Sequence, residues 1–473
     1  MKLSMLLKDV EVLSAYNGDR EVIKIAEKSN EATPNSLFIF TESGKPEYLS
    51  EARKNGALII SEKADGADIT VKNAVTARNI IWRNFYNSPN EKLSLFGVTG
   101  TNGKTTVTYL TRHIFENAGK KTGVIGTVCN ITGDENSPSL QTTPGASELY
   151  RLFSKMNSNR LTEVCMEVSS HSLEQGRVDG LKFKAGAFTN LTRDHLDYHK
   201  TMKSYLESKL KFVSMCEGFA VNADDPNASF FIEEANKHNV KVLTYSLVSP
   251  FADLTAEKLF LTKEKTSFVV KLGEDEAKTE INIPGRFSVY NALTAISLAI
   301  LAGIPLKDAA KHIASAEGIK GRMEKIKAKN GATVIIDYAH TPDGLEKVLL
   351  TLKDIKGKGK LITVFGCGGD RDSTKRPIMG KIAATYSDMV IVTSDNPRSE
   401  NPYDIIGDII KGSVGMKTPH LIIEDRKTAI KTAMSNAKQN DIVLLAGKGH
   451  ETYQILKDKT INFDERDIIK AYI

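Results

Sequence analysis

Continuous apolar runs of four to six residues recur along the chain. Residues 36–40 (Ser-Leu-Phe-Ile-Phe) and 57–60 (Ala-Leu-Ile-Ile) come first. Leu93, Leu95, Phe96 and Val98 follow, then 164–168, 185–189 and 219–222. A last set occupies 334–337, 361–365, 389–393, 421–424 and 442–446. Runs without alternation predict strands covered on both faces, because a half-exposed strand alternates apolar with polar. Between them, 109–118, 203–214 and 290–302 carry helical spacing. Strands alternating with helices predict open parallel sheets, with ligands outside the C-terminal strand ends. Asn87-Ser88-Pro89-Asn90 and Gly318-Ile319-Lys320-Gly321 interrupt the pattern and read as linkers. The expected organisation is therefore α/β in three domains: a small N-terminal α/β domain (1–88), a central P-loop ATPase-type domain with a mostly parallel sheet (89–319), and a C-terminal Rossmann-like doubly wound domain (320–473). No internal repeat or low-complexity tract is visible.

Length supports that division, since 473 residues exceed what one core ordinarily organises. A hydrophobic content of 41% with 26% charged residues is that of a soluble globular protein. No apolar run is long enough to cross a bilayer, and residues 1–13 do not read as a signal peptide. Cys129, Cys165, Cys216 and Cys367 lie far apart with no CxxC spacing. That argues against a disulfide framework or zinc site and predicts a reducing, cytoplasmic setting. The net charge of +6 is dispersed, whereas nucleic-acid binders cluster it. A mild positive excess suits small anionic substrates. The lysine-rich stretch 353–360 contains glycine and reads as a solvated turn.

Candidate chemistry begins at residues 97–106, Gly-Val-Thr-Gly-Thr-Asn-Gly-Lys-Thr-Thr. An apolar strand leads into this loop and a helix leaves it. In such an arrangement backbone N–H groups and the helix N-terminus hold phosphates, Lys104 adds a point charge, and Thr105 can ligate Mg²⁺. General phosphate loops have glycine five residues before the Gly103 position. Val98 stands there instead, flanked by Gly97 and Gly100.

Mg²⁺ also needs a carboxylate, and Glu167, closing the 164–168 run, is the candidate. Asn190 to His199 closes the next run with Asp194, His195 and Asp197. Either strand end alone reads equally well as structural capping. The order and spacing of His171, His195 and His199 match no common zinc pattern. Further on, Asp337-Tyr338-Ala339-His340-Thr341-Pro342, the 365–372 segment, Ser394-Asp395-Asn396-Pro397-Arg398 and the 446–451 segment each follow a predicted strand. In an open sheet they would share one edge, where glycine-rich backbone and Arg suit carboxylate binding.

These motifs, in this order and over nearly the whole chain, resemble the Mur ligases of peptidoglycan synthesis. GTNGKTT alone points only to the wider group that includes folylpolyglutamate synthetases. The resemblance implies a cytoplasmic ATP- and Mg²⁺-dependent ligase, working as a monomer on small molecules, without nucleic acid or membrane insertion. In it the substrate carboxylate attacks the γ-phosphate of ATP, and an amino-acid amine then displaces phosphate from the acyl phosphate. It assigns Gly100, Thr101, Asn102, Gly103, Lys104, Thr105, Thr106, Asn291, Arg322 and Asp337 to ATP. Arg322, beside the second linker, is expected to reach the nucleotide only after domain closure. Thr105, Glu167, His195 and a carbamylated Lys209 are assigned to metal. Lys104, His195 and Lys209 are the catalytic set.

For the substrate UDP-MurNAc-L-Ala-D-Glu the resemblance implies Ser29, Thr142, Thr143, Ser170 and Arg177. The family's Asp-Ser-Arg reads Lys28-Ser29-Asn30 here. Arg371, Asp395, Asn396, Pro397, Arg398, Gly447 and Glu451 match contacts to meso-diaminopimelate. Arg398 would select this amino acid over L-lysine through a second carboxylate that lysine lacks, and Glu451 would bind the distal ammonium. The alternatives are an L-lysine-adding or folylpolyglutamate-type ligase, and a P-loop ATPase that switches a partner. The resemblance predicts that Arg398→Ala raises KM for diaminopimelate about 10- to 100-fold, the worth of a charged hydrogen bond, while ATP binding is unchanged. Steady-state kinetics with each substrate varied checks it, and an unchanged diaminopimelate KM would refute the specificity role.

Overall fold

The computed structural model describes all residues except 15–17, 42, 43 and 263. Three α/β units follow one another, built on sheets of five, eleven and six strands, with a two-stranded ribbon near the C-terminus. In the first sheet Lys24–Ala26, Ser36–Phe40, Leu58–Ser61 and Ile69–Val71 run parallel. Ser36–Phe40 and Leu58–Ser61 are buried throughout, as their unbroken apolar runs predict. The helix Ala74–Phe85 starts where the Asn73 side chain accepts from Thr76 N–H. It docks this unit on the next: Asn79 Nδ2 donates to the carbonyls of Gly176 (2.7 Å) and Asp179 (3.1 Å). Leu3, Ile81 and Trp82 share one apolar cluster with Leu149, Phe153 and Phe183 of the central unit. The connection at 87–92 is a tight turn rather than a tether, with Asn87 and Ser88 at positive φ and Pro89 buried.

In the central sheet Ser94–Thr99 lies between Glu163–Glu167 and Phe183–Phe188, parallel to both. Cys216–Asn222 and Lys241–Ser246 extend the parallel region. Leu254–Leu261 continues it in parallel, and antiparallel strands then flank it: Thr266–Leu272 and Asp275–Ile281 on that side, Cys129–Ile131 and Asn136–Pro138 on the other. None of these edge strands was predicted. They are polar or short, so no apolar run marks them. The helices Lys104–Asn117 and Arg286–Leu301 cover one face, where Val107, Leu110 and Ile114 meet Leu293 and Ile296. The helix expected over 203–214 ends at Leu210. The chain turns there to bury Phe212 against Phe183 and Phe219, at ring-centroid distances of 4.9 and 5.7 Å.

The third sheet orders its strands Glu324–Lys327, Thr333–Asp337, Ile442–Ala446, Leu361–Phe365, Met389–Val392 and His420–Ile422, all parallel except the first. The four chemistry-bearing segments therefore leave one sheet edge, as predicted. The 353–360 stretch is not wholly a turn. The helix Pro342–Ile355 continues through Lys353, because Leu349 and Leu352, three positions apart, are both fully buried.

Arg426 and Glu465, both with no exposed side-chain area, form an ion pair at 2.8 Å, and Arg426 Nη2 also donates to the Ala446 carbonyl. The pair ties the C-terminal helix Glu465–Ile469 to the sheet edge that carries the 446–451 loop. Removing one partner strands a buried charge, so Glu465→Ala is expected to cost about 3–5 kcal/mol. Urea denaturation checks this, and a loss below about 1 kcal/mol, a surface-pair value, would refute it.

Candidate active site

The strand Ser94–Thr99 turns into the helix Lys104–Asn117 through two glycines at positive φ, Gly100 (144°) and Gly103 (91°). A Cβ at Gly100 would stand 1.9 Å from Thr189 Oγ1, and one at Gly103 2.5 Å from Asn291 Oδ1. Both glycines are required sterically as well as conformationally. Val98 lies within the strand, fully buried and in register with Glu167, so the loop begins after it. Lys104 Nζ folds back onto the carbonyls of Gly100 (2.9 Å) and Thr101 (2.8 Å). Desolvation holds it below the ordinary lysine range, against the pull of Glu167 and Asp194.

Glu167 sits at the C-terminal end of Glu163–Glu167. Its Oε2 accepts from Thr105 Oγ1 and Thr127 Oγ1, each at 3.0 Å, and its Oε1 from Thr127 N–H at 2.7 Å. Arg322 Nη2 donates to Thr105 Oγ1 at 2.9 Å. Arg322 thus touches the phosphate-loop residue Thr105 in this arrangement of the units. The linker is held on the third unit: Gly321, at φ 71°, lies so close to His450 N that a Cβ would stand 2.1 Å away. Asn102 Nδ2 also donates across the units, to Asp343 Oδ2 at 2.7 Å. Asp337 accepts from the N–H groups of Met323 (2.7 Å) and Ala339 (2.8 Å), and burial pushes its carboxyl up against the pull of Arg322. A cavity of about 760 Å³ opens here, lined by Thr101–Thr106, Glu167, Asn291, Arg322 and Asp337.

A second cavity, about 320 Å³, shares Lys104, Thr142 and His195 with the first, and adds Ser170, Arg177, Lys209 and Arg371. Lys209, almost fully buried, donates to the Gly100 carbonyl at 3.0 Å and lies 4.5 Å from the Tyr205 ring centroid. Burial and the neighbouring Lys104 push it well below the ordinary lysine range, opposed by Asp194. His195 faces Asp194 Oδ2 at 3.3 Å; desolvation lowers its pKa, so its imidazole is neutral. His199 Nε2 is 2.9 Å from Ser170 Oγ. Thr143 is fully buried, its hydroxyl donating to the Glu167 carbonyl (2.8 Å) and its carbonyl accepting from Arg177 Nη1 (2.8 Å).

At the third sheet's edge, Asn396 Nδ2 donates to Glu451 Oε2 at 3.0 Å. Gly447, at φ 113°, brings its loop against Asp395. Arg398, itself at φ 53°, donates through Nη1 to the Gly369 carbonyl (2.7 Å), and the Pro397 carbonyl packs on Gly369. Burial pushes the Glu451 carboxyl up, Lys448 opposing and Asp395 reinforcing.

Residues 98–299 match the Mur ligase middle domain, and 321–449 match the Mur ligase, glutamate ligase domain. The chain is 43% identical to the UDP-N-acetylmuramoyl-L-alanyl-D-glutamate--2,6-diaminopimelate ligase of Caldanaerobacter subterraneus subsp. tengcongensis, across 100% of this chain and 99% of that one. The chain belongs to the Mur ligase family. The enzyme of the same description from Clostridium botulinum is 41% identical over the same shares. A solved structure of a ligase so described superposes with a TM-score of 0.68 at 33% identity, covering 95% of this chain and 94% of that one.

In this Mur ligase the residues assigned to ATP and Mg²⁺ line the larger cavity except Gly100 and Lys209. The smaller one takes Thr142, Ser170, Arg177, Lys209 and Arg371, and the 395–398 and 446–451 segments meet at the third sheet's edge. Ser29 lies in the first unit, in neither cavity, its hydroxyl donating to Glu51 Oε2 at 2.5 Å. Sequence reasoning also missed Lys448. Its fully buried ammonium lies 3.0 Å from Glu451 Oε2, 3.1 Å from Asn396 Oδ1 and 3.7 Å from Asp395 Oδ1. Standing between two glycines, it reads as part of a flexible loop; only its burial marks it. Asp343 was missed because its partner Asn102 lies 241 residues away.

Proposed function

We propose that this Mur ligase joins meso-diaminopimelate to UDP-MurNAc-L-Ala-D-Glu, splitting ATP to ADP and phosphate through an acyl phosphate. The observation that carries this reading is the meeting of the two cavities at Lys104 and His195. A nucleotide on the 97–106 loop and an acceptor carboxylate beside Lys209 and Arg371 would approach each other there. Three anionic groups must crowd together at that point, and convergent cations favour such a transition state. Lys104 and Arg322 would bind phosphate oxygens; Arg322 Nε, buried and without a partner, is a donor free for this use. The first unit (1–88) would take the uridine end, the second (89–319) ATP, and the third (320–473) the amino acid.

The donor set fits Mg²⁺. Thr105 Oγ1 and Glu167 Oε2 are hard oxygens 3.0 Å apart on the cavity wall. Mg²⁺ characteristically takes one or two protein carboxylates and completes its shell with phosphate and water. Bound there, it would neutralise charge on the phosphates. His195 and Lys209 would support a second position. Lys209 is suited to carbamylation because burial and the neighbouring Lys104 push it well below the ordinary lysine range, which favours the neutral amine that adds to CO₂. The resulting carbamate would turn repulsion with Lys104 into attraction.

Diaminopimelate would lay its distal ammonium against Glu451 and Asp395 and its distal carboxylate on Arg398. Among the described residues only Nη1 of that guanidinium is hydrogen-bonded, which leaves the rest for a ligand. Phosphate release with ATP, UDP-MurNAc-L-Ala-D-Glu and either amino acid tests the reading. Diaminopimelate is expected to exceed L-lysine about 100-fold or more in kcat/KM, as a site built for a polar group rejects an analogue lacking it. Equal rates would overturn the amino-acid assignment; release without the nucleotide-sugar would favour the ATPase switch. Lys209→Ala is expected to lose about 100-fold or more in kcat, with partial rescue by acetate or formate. Full activity in that variant would refute the carbamate.

A further inference from the structure

The helix Lys375–Tyr386 opens at the seam between the central and third units. The residue before it, Thr374, accepts from Arg193 Nη2 of the central unit at 2.8 Å. Four positions upstream of the helix start, Arg371 lines the smaller cavity. Lys375 is the first helical residue and is only 8% exposed. Among the described residues its ammonium makes no hydrogen bond and no ion pair. It lies close enough to Asp194, His340 and Cys367 for its charge to act on all three. Asp194 and His340 line the larger cavity.

This is an unfavourable position for a lysine. The amino end of a helix carries partial positive charge, and an ammonium there is repelled by it. The first turn itself holds no acidic residue. Just before it, the Asp372 carboxylate accepts from Thr374 N–H at 2.9 Å and faces Arg193, and Arg376 N–H is bonded to the Ser373 carbonyl, so neither that carboxylate nor that carbonyl pairs with the Lys375 ammonium. Arg376, the next residue, is neutralised by Glu400 (2.8 Å) and Asp408 (3.1 Å). Asp194 is committed elsewhere: its Oδ1 accepts from His195 N–H at 2.9 Å and its Oδ2 faces His195 Nε2. Buried charges are ordinarily paired, so a buried ammonium at a positive helix end is a site lacking its anion.

We propose that Lys375 forms an oxyanion site at the seam of the central and third units, beside Asp194 and His340 of the larger cavity, filled by a substrate during ligation. This rests on the ligase reading above. Two sources share the required chemistry: the phosphoryl group of the acyl phosphate, and the carboxylate adjacent to the attacking amine.

The test uses Lys375→Met and Lys375→Arg in the full chain. With ATP and UDP-MurNAc-L-Ala-D-Glu but no amino acid, hydroxylamine traps the acyl phosphate as a hydroxamate. A loss of hydroxamate of about 100-fold in Lys375→Met, the usual effect of removing an oxyanion donor, assigns the site to the phosphoryl group. Unchanged trapping with a comparable rise in KM for diaminopimelate assigns it to the carboxylate. Lys375→Arg, which keeps the charge, is expected to recover part of either loss. Ligand-free Lys375→Met is expected to melt no lower than the parent, because an unpaired buried charge is removed. Trapping and KM both within twofold of the parent overturn the proposal. So does a Met variant that melts well below the parent, which would make the ammonium structural. A parent enzyme that forms neither hydroxamate nor amide sinks the ligase reading, and this proposal with it.

Discussion

Two ammonium groups, Lys104 and Lys209, donate to the same carbonyl oxygen of Gly100. Like charges so close in a desolvated cleft repel strongly, and burial together with Lys104 pushes Lys209 well below the ordinary lysine range. The surroundings follow from this constraint. Gly100 and Gly103 let the backbone come within reach of both amines. Thr189 and Asn291 fill the space that side chains at those glycines would take. Glu167 and Asp194 supply the nearest negative charge. A site with surplus cation and partly satisfied donors is arranged to receive anions, which is the demand of a reaction between a carboxylate and a triphosphate.

The third unit completes that site rather than merely adjoining it. It delivers Arg322 to Thr105, Asp343 to Asn102, and Arg371 to the wall of the smaller cavity. Arg193 answers from the central unit with contacts to Thr374 and Asp372. The linker at 318–321 acts as a rigid positioning element, since Gly321 packs directly on the 449–450 backbone. Glu324 and Arg466 pair just beyond it, and Arg466 donates to the Gly449 carbonyl, so the linker and the 446–451 loop are one structure. Movement of the third unit would therefore carry Arg322 and the 446–451 loop together.

Much of the architecture was legible because buried parallel strands announce themselves as unbroken apolar runs. Ser36–Phe40, Leu361–Phe365 and Ile442–Ala446 have the boundaries read from the sequence. The outer strands of the central sheet were not legible, since Leu254–Leu261 is exposed along much of its length and carries no comparable pattern. Helix ends failed where tertiary packing overrode local spacing, as at Leu210, beyond which Phe212 must enter the core. Within the site, the residues on glycine-rich strand ends were found. Lys448, Asp343 and Lys375 were not, because each matters through burial or a distant partner.

The sequence by itself determined that a nucleotide phosphate is bound and in what order the chemistry-bearing loops leave their sheets. Both are local properties, set by glycine conformations, exposed amide groups and the polar residue that closes each apolar run. The tertiary structure alone decided which charges face one another and which are neutral. Lys209, Lys375 and Lys448 are equivalent as letters; one is pushed well below the ordinary lysine range beside another lysine, one has no ion pair among the described residues, and one is paired to Glu451. Their difference comes from desolvation and Coulomb terms, which depend on neighbours far away in the chain.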